Sequence, residues 1–140
     1  MTEPQRRQKI LIVDEDLGFV LWLGQILAEL GHQGLPAFSW DEADSNTRRL
    51  KFSVDVVICN PYLTGTADRL AALAQVNQPL RVVLAEDPAF EAPSSMAGYA
   101  TLSKPTGSEH ISHQDWLVKV EQALADAVPY GQNAKRGRAS

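Results

Sequence analysis

The sequence predicts an α/β fold, a parallel sheet covered on both faces by helices, and three observations carry that prediction. Two short runs, Ile10-Leu11-Ile12-Val13 and the stretch from Val54 to Cys59, are apolar and rich in β-branched residues, the pattern of strands buried on both faces. Amphipathic stretches of helical length alternate with these and with weaker strand-like runs along the chain, which is the signature of a repeated βα unit. Both strong runs end in polar residues, Asp14-Glu15-Asp16 after the first and Asn60 after the second. The carboxyl end of a central strand is where an open α/β sheet keeps its chemistry.

Composition narrows the setting. A chain of 140 residues suits one domain with its own core. Its hydrophobic fraction of 44% and charged fraction of 21% are ordinary for a globular protein, and a net charge of −4 argues against a general nucleic-acid or membrane surface. No apolar run reaches transmembrane length, and residues 1–9 are polar and basic with no apolar segment behind them, so a cytoplasmic location is expected. Cys59 is the single cysteine, which leaves no disulfide framework and no cysteine metal cluster; within an apolar run it reads as a small buried hydrophobe.

The elements follow in order. Residues 1–8 read as a disordered lead-in. Residues 9–13 form the first strand. A helix over 17–30 places Val20, Leu23, Leu27 and Leu30 on one face, and Gly31 stops it. Residues 33–38 form a weak strand, and Pro36 assigns it to a sheet edge because proline cannot donate to a ladder. Ser39 and Glu42 have capping-box spacing and start a helix reaching about residue 51. The strand ending at Cys59 comes next, then a helix over 66–77 with Leu70, Leu73 and Ala74 turned inward, then a strand over 81–85. Residues 86–97 are expected to hold a helix that Pro88 and Pro93 shorten or break. A fifth strand over 98–103 is closed by Lys104-Pro105. Ser112 and Asp115 form a second capping box, opening an amphipathic helix through Trp116, Leu117, Val120, Leu124 and Val128. Residues 129–140, with Lys135, Arg136 and Arg138, read as a polar basic tail.

An acidic cluster after strand one, a polar residue ending strand three and Lys104-Pro105 after strand five stand together in a (βα)5 chain of this length. In this the chain resembles the receiver domain of two-component response regulators, over about residues 9–128. The resemblance implies a flavodoxin-like (βα)5 three-layer sandwich with parallel strand order 2-1-3-4-5. In that family an aspartate ending strand three accepts a phosphoryl group from a histidine kinase. An acidic pair after strand one helps hold Mg²⁺, and a lysine after strand five contacts the phosphoryl oxygens. A hydroxyl ending strand four and an aromatic on strand five relay the change to the surface. By position, Asp14 and Glu15 match the acidic pair and Lys104 the lysine, while Asn60 falls on the acceptor. The hydroxyl position falls on Leu84 or Ala85 and the aromatic on Thr101. The Lys104-Pro105 peptide is one that is often cis in the family.

The consequence is chemical. An acyl phosphate needs a carboxylate nucleophile, and an asparagine amide is neutral and a poor one. Asn60 also removes one anionic oxygen from a Mg²⁺ site, so no cofactor is expected and a weak Mg²⁺ site at Asp14 and Glu15 is the most the residues allow. Deamidation is disfavoured as a repair, because the succinimide route needs the next backbone N–H and Pro61 has none. The chain therefore reads as a degenerate receiver that keeps the fold and has lost the switch. Lys104 is expected to pair with Asp14 or Glu15 in a partly buried ion pair, with Asn60 hydrogen-bonding to one member.

Output would then pass through protein contact, with a signalling protein, a histidine-kinase-related partner or a second copy. The family's working face comprises the fourth helix, fifth strand and fifth helix. Trp116 is the candidate anchor there; its alternative is simple packing on the sheet. Asp14-Glu15-Asp16 has a plainer reading as the acidic first turn of a helix. His110 and His113 read as loop residues rather than metal ligands. Two other functions share parts of the pattern. Ile10 to Asp16 also matches the opening of haloacid-dehalogenase-like phosphatases, with Asp14 as nucleophile, but Leu84 and Ala85 supply no hydroxyl and no acidic pair follows Lys104 at a strand end. A flavodoxin-like flavin binder would need a hydroxyl- and glycine-rich phosphate loop where this chain is acidic.

Overall fold

The computed structural model describes residues 7–87, 89–90, 96–106 and 111–133. Five parallel strands, β1 (Lys9–Val13), β2 (Gln33–Ala37), β3 (Val56–Cys59), β4 (Arg81–Glu86) and β5 (Ala100–Ser103), lie in the order β2-β1-β3-β4-β5. The helices are α1 (Leu17–Glu29), α2 (Trp40–Arg49), α3 (Thr66–Val76) and α4 (His113–Asp126). The fold is thus the flavodoxin-like sandwich, with four helices among the described residues. Of the helix expected over residues 86–97, half, residues 88 and 91–95, lies outside them, as does His110; in the described half Glu86 ends β4 and no α-helix is formed.

Local sequence explains most boundaries. Asp16 caps α1 by accepting from Phe19 N, and Gly31 beyond its end takes φ +86°, a region that costs glycine nothing. Ser39 accepts from Glu42 N, and Glu42 Oε1 in turn accepts from Phe38 N. Ser112 accepts from Asp115 N at the start of α4. Pro36 sits on β2, the edge strand, as its missing donor requires. The peptide Lys104-Pro105 is trans; among the described residues the cis peptide is Gln78-Pro79.

Alternation along the central strands divides the core into two layers. Ile10, Ile12, Val56, Ile58, Val83, Ala85 and Leu102 face α1 and α4, meeting Val20, Leu23, Leu27, Val120 and Leu124. Leu11, Val13, Val57, Cys59, Val82 and Leu84 face the other way, under α2 and α3, meeting Trp40, Ala43 and Leu70. Extending the first set by one step at each strand end brings Asp14, Asn60 and Lys104 to the carboxyl edge on the α1–α4 side.

The carboxyl-terminal segment departs from the tail assigned to residues 129–140. α4 ends at Asp126, and a short antiparallel strand, β6 (Val128–Pro129), pairs with the start of β4. The place is vacant because β5 begins only opposite Val83. Arg81 on β4 donates to Leu124 O and Ala127 O, fastening the end of α4 to the sheet. Beyond it, Tyr130 N donates to Leu80 O, Gly131 N to the Tyr99 hydroxyl, and Asn133 Nδ2 to Ala97 O. Gly98 (φ +95°) lies so close beneath that a Cβ there would come within 2.1 Å of Asn133 O. Residues 134–140 lie outside the described set.

Candidate functional site

Strand adjacency assembles the site. Val13 is level with Cys59 and Cys59 with Leu84, so the next residues, Asp14, Asn60 and Ala85, stand at neighbouring strand ends. Asn60 N donates to Val13 O, which extends the β1–β3 ladder by one rung. Asp14 is fully buried, Asn60 is 6% exposed, and the Lys104 side chain is 13% exposed.

Lys104 Nζ lies 2.6 Å from Asp14 Oδ2 in a close ion pair. The other carboxylate oxygen, Oδ1, accepts from Asp16 N at 2.9 Å. Lys104 also stands 5.1 Å from the centre of the Phe19 ring, whose face attracts a cation. From Phe19 the aromatics continue outward to Trp22 (6.0 Å between centroids) and edge-to-face to Trp116 (5.0 Å). The pair is therefore roofed by α1 and the start of α4.

Asn60 does not hydrogen-bond to a member of the pair, contrary to the expectation. Its Oδ1 accepts from Tyr62 N at 2.8 Å, the local turn that asparagine side chains make two residues ahead. The following loop is anchored in two places. Thr66 Oγ1 donates towards Asn60 O and Leu63 O and accepts from Trp40 Nε1 at 2.9 Å. The Tyr62 hydroxyl donates to Phe90 O at 2.9 Å, with the two rings 5.6 Å apart.

Glu15 is a second correction. It is exposed, and among the described residues it enters no ion pair; the turn into α1 carries it outward. The reading of the cluster as the acidic first turn of a helix does not hold either: the first turn of α1 carries no acidic residue, and Asp16 stands just before it as the cap. Only Asp14 of the acidic cluster belongs to the buried site.

These oxygens do not fit the Mg²⁺ that the resemblance implies. Asp14 Oδ2 faces an ammonium, Asp14 Oδ1 and Asn60 Oδ1 are held by backbone N–H groups, and Glu15 points to solvent. Among the described residues no group of three or more His, Cys, Asp or Glu side chains could hold a metal ion.

At the relay positions, both Leu84 and Ala85 are buried, on opposite faces of β4. Register makes Ala85 the residue level with Asn60. Thr101 is exposed on β5. Trp116 is half-buried and committed to Trp22, which is the packing alternative rather than a free anchor. Beside Asn60, burial pushes the Cys59 thiol up to about 12. The sequence reading missed Trp40 and Thr66. A tryptophan at a helix start and a threonine six residues after Asn60 carry no recognisable spacing, and only the fold brings them together.

No family model and no curated protein sequence matches the chain. Solved structures do match in fold. A response regulator receiver domain protein from Clostridium thermocellum superposes with a TM-score of 0.58 at 20% identity, over 84% of this chain and 94% of that one. The receiver domain of the hybrid histidine kinase CckA gives 0.58 at 19%, over 83% and 98%. The anti-anti-sigma factor PhyR from Bartonella quintana gives 0.56 at 16%, over 96% of this chain and 52% of PhyR. The fold is that of receiver domains. Among the described residues no helix is long and apolar enough to cross a membrane.

Proposed function

We propose that this chain is a pseudo-receiver of two-component phosphorelay signalling, working by protein–protein contact and without phosphorylation. The observation that carries the reading is Asn60 at the acceptor place, its amide oxygen engaged by Tyr62 N beside an Asp14–Lys104 ion pair. A neutral amide offers no nucleophile. The lysine that would meet phosphoryl oxygens is neutralised within the fold. Loss of the hydroxyl at Leu84 or Ala85 and of the aromatic at Thr101 removes the relay as well.

On this reading the protein is not an enzyme, needs no cofactor and acts in the cytoplasm. Its partner is a signalling protein, a histidine-kinase-related protein or a second copy. The surface assigned to that contact is formed by β5 and α4, where Thr101 and Lys119 are exposed beside Trp116. The neighbours in fold come from signalling proteins, which supports a protein partner. Phosphatase chemistry at Asp14 is disfavoured because that carboxylate is fully buried and paired with Lys104.

The test is intact-mass measurement after incubation with acetyl phosphate and Mg²⁺. Wild type should gain no phosphoryl group, and Asn60→Asp should show whether the surrounding groups still support transfer. An acid-stable, alkali-labile phosphoryl adduct on an aspartate of the wild-type chain would overturn the reading.

A further inference from the structure

The layer formed by α2 and α3 contains a feature that the strand-end site does not use. The two helices are tied to each other near their first residues, and the far end of α3 is tied to the segment entering β3. At one end Trp40 Nε1 donates to Thr66 Oγ1, joining the first residue of each helix. At the other, Asn77 Nδ2 donates to Leu73 O while its Oδ1 accepts from Val54 N, fastening the end of α3 to the segment entering β3. Between these ties lies a cleft of about 700 Å³ that reaches down to Leu11 of β1. Its size is within the range of small-molecule sites, roughly 300–1,000 Å³. Hydrogen bonds fix its walls at both ends, so a ligand would need only the side chains at its rim to move.

The lining has two chemistries. Trp40, Phe52 and Leu73 supply an apolar interior, while Arg48, Lys51 and Arg69 stand around it against a single lining carboxylate, Asp44. Arg48 pairs with Asp44 and Arg69 with Asp41, but both pairs are largely exposed, and opening such a pair costs less than about tenfold in an equilibrium. Among the described residues no carboxylate pairs with Lys51. Its backbone adopts φ +50°, unusual for a residue with a side chain, at the turn that ends α2 against the cleft. An apolar interior with a cationic rim suits a ligand with an apolar body and an anionic head.

We infer that the α2–α3 cleft is a binding site for a small amphipathic organic anion, with the apolar body over Phe52 and Leu73 beside Trp40 and the anionic group at Arg48, Lys51 and Arg69. This stands independently of whether position 60 ever carries phosphate.

Sodium octanoate titrated into the full chain, followed by two-dimensional ¹H–¹⁵N NMR, tests it. The Trp40 indole signal, identified by its loss in Trp40→Phe, should shift saturably with a Kd of roughly 1 mM. Neutral 1-octanol should produce a much smaller shift at the same concentration. Lys51→Gly keeps the left-handed backbone and removes the charge, and should weaken octanoate several-fold. Ala72→Trp, at an exposed position of the cleft wall, should block the site while leaving circular dichroism unchanged. Absence of a saturable shift at Trp40, equal binding of octanol, or full octanoate affinity in both folded variants would each overturn the inference. Should Ala72→Trp fail to fold, the octanol comparison and Lys51→Gly still decide it.

Discussion

The two helical layers treat the sheet differently. On the α1–α4 side the sheet edge holds a buried charge pair, Asp14 with Lys104, roofed by Phe19, Trp22 and Trp116. On the α2–α3 side the helices are joined at their first residues by Trp40–Thr66, Asn77 fastens the end of α3 to Val54, and a cleft lies between. The closed region lies where receiver domains carry out phosphoryl chemistry, and the open one lies where nothing in the sequence motifs points. Thr66 joins the two: its hydroxyl meets both Trp40 and the carbonyl of Asn60. A buried ion pair is weak evidence for stability, but removing one member leaves a buried charge without a partner.

The largest expected effect comes from breaking the closed side. Lys104→Ala leaves Asp14 fully buried without its cation and should destabilise by about 3–5 kcal/mol in urea denaturation. Asp14→Asn should cost less, because the Lys104 ammonium can reach solvent along its flexible stem. Equal costs would mean that the two sides of the pair are equally enclosed.

Alkaline titration addresses the other face. Burial raises the Cys59 thiol from 9.0 to about 12, so above pH 9 the unfolded chain loses this proton while the folded chain keeps it. Stability should therefore fall as pH rises through that window, with a contribution of about 1.4 kcal/mol per pH unit from this group at most. Cys59→Ala should flatten the slope between pH 9 and 11 relative to wild type; identical slopes would remove Cys59 as the cause. The smallest expected stability effect is at the tie between α2 and α3. Trp40→Phe deletes one buried hydrogen bond and should cost about 1–2 kcal/mol, measured by thermal or urea unfolding. A cost near zero would mean that packing, rather than the hydrogen bond, holds the helices together.

Much of this architecture is legible in the sequence. The apolar runs of β1 and β3 announce central strands because both of their faces are covered, and Pro36 announces an edge because of its missing donor. Asp14 and Lys104 are legible as a pair once the strand order brings their strand ends together. Glu15 was not, because residue spacing cannot say how the chain turns into α1. The partner of Asn60 was not either: a backbone N–H two residues away outcompeted a side chain on another strand, as local partners often do. β6 escaped because two residues show no periodicity and Pro129 reads as a helix stop; its place depends on how late β5 begins. The α2–α3 cleft depends on two long-range hydrogen bonds, and no local pattern encodes those.

The central claim is that the strand-end site is occupied by its own groups and does not take up Mg²⁺. Two amides report on it directly: Asp16 N donates to Asp14 Oδ1, and Tyr62 N donates to Asn60 Oδ1. In a ¹H–¹⁵N NMR titration with MgCl₂ at constant ionic strength, both signals should stay in place through millimolar Mg²⁺. A saturating shift of the Asp16 and Tyr62 amides would show the cation displacing these contacts and would contradict the account.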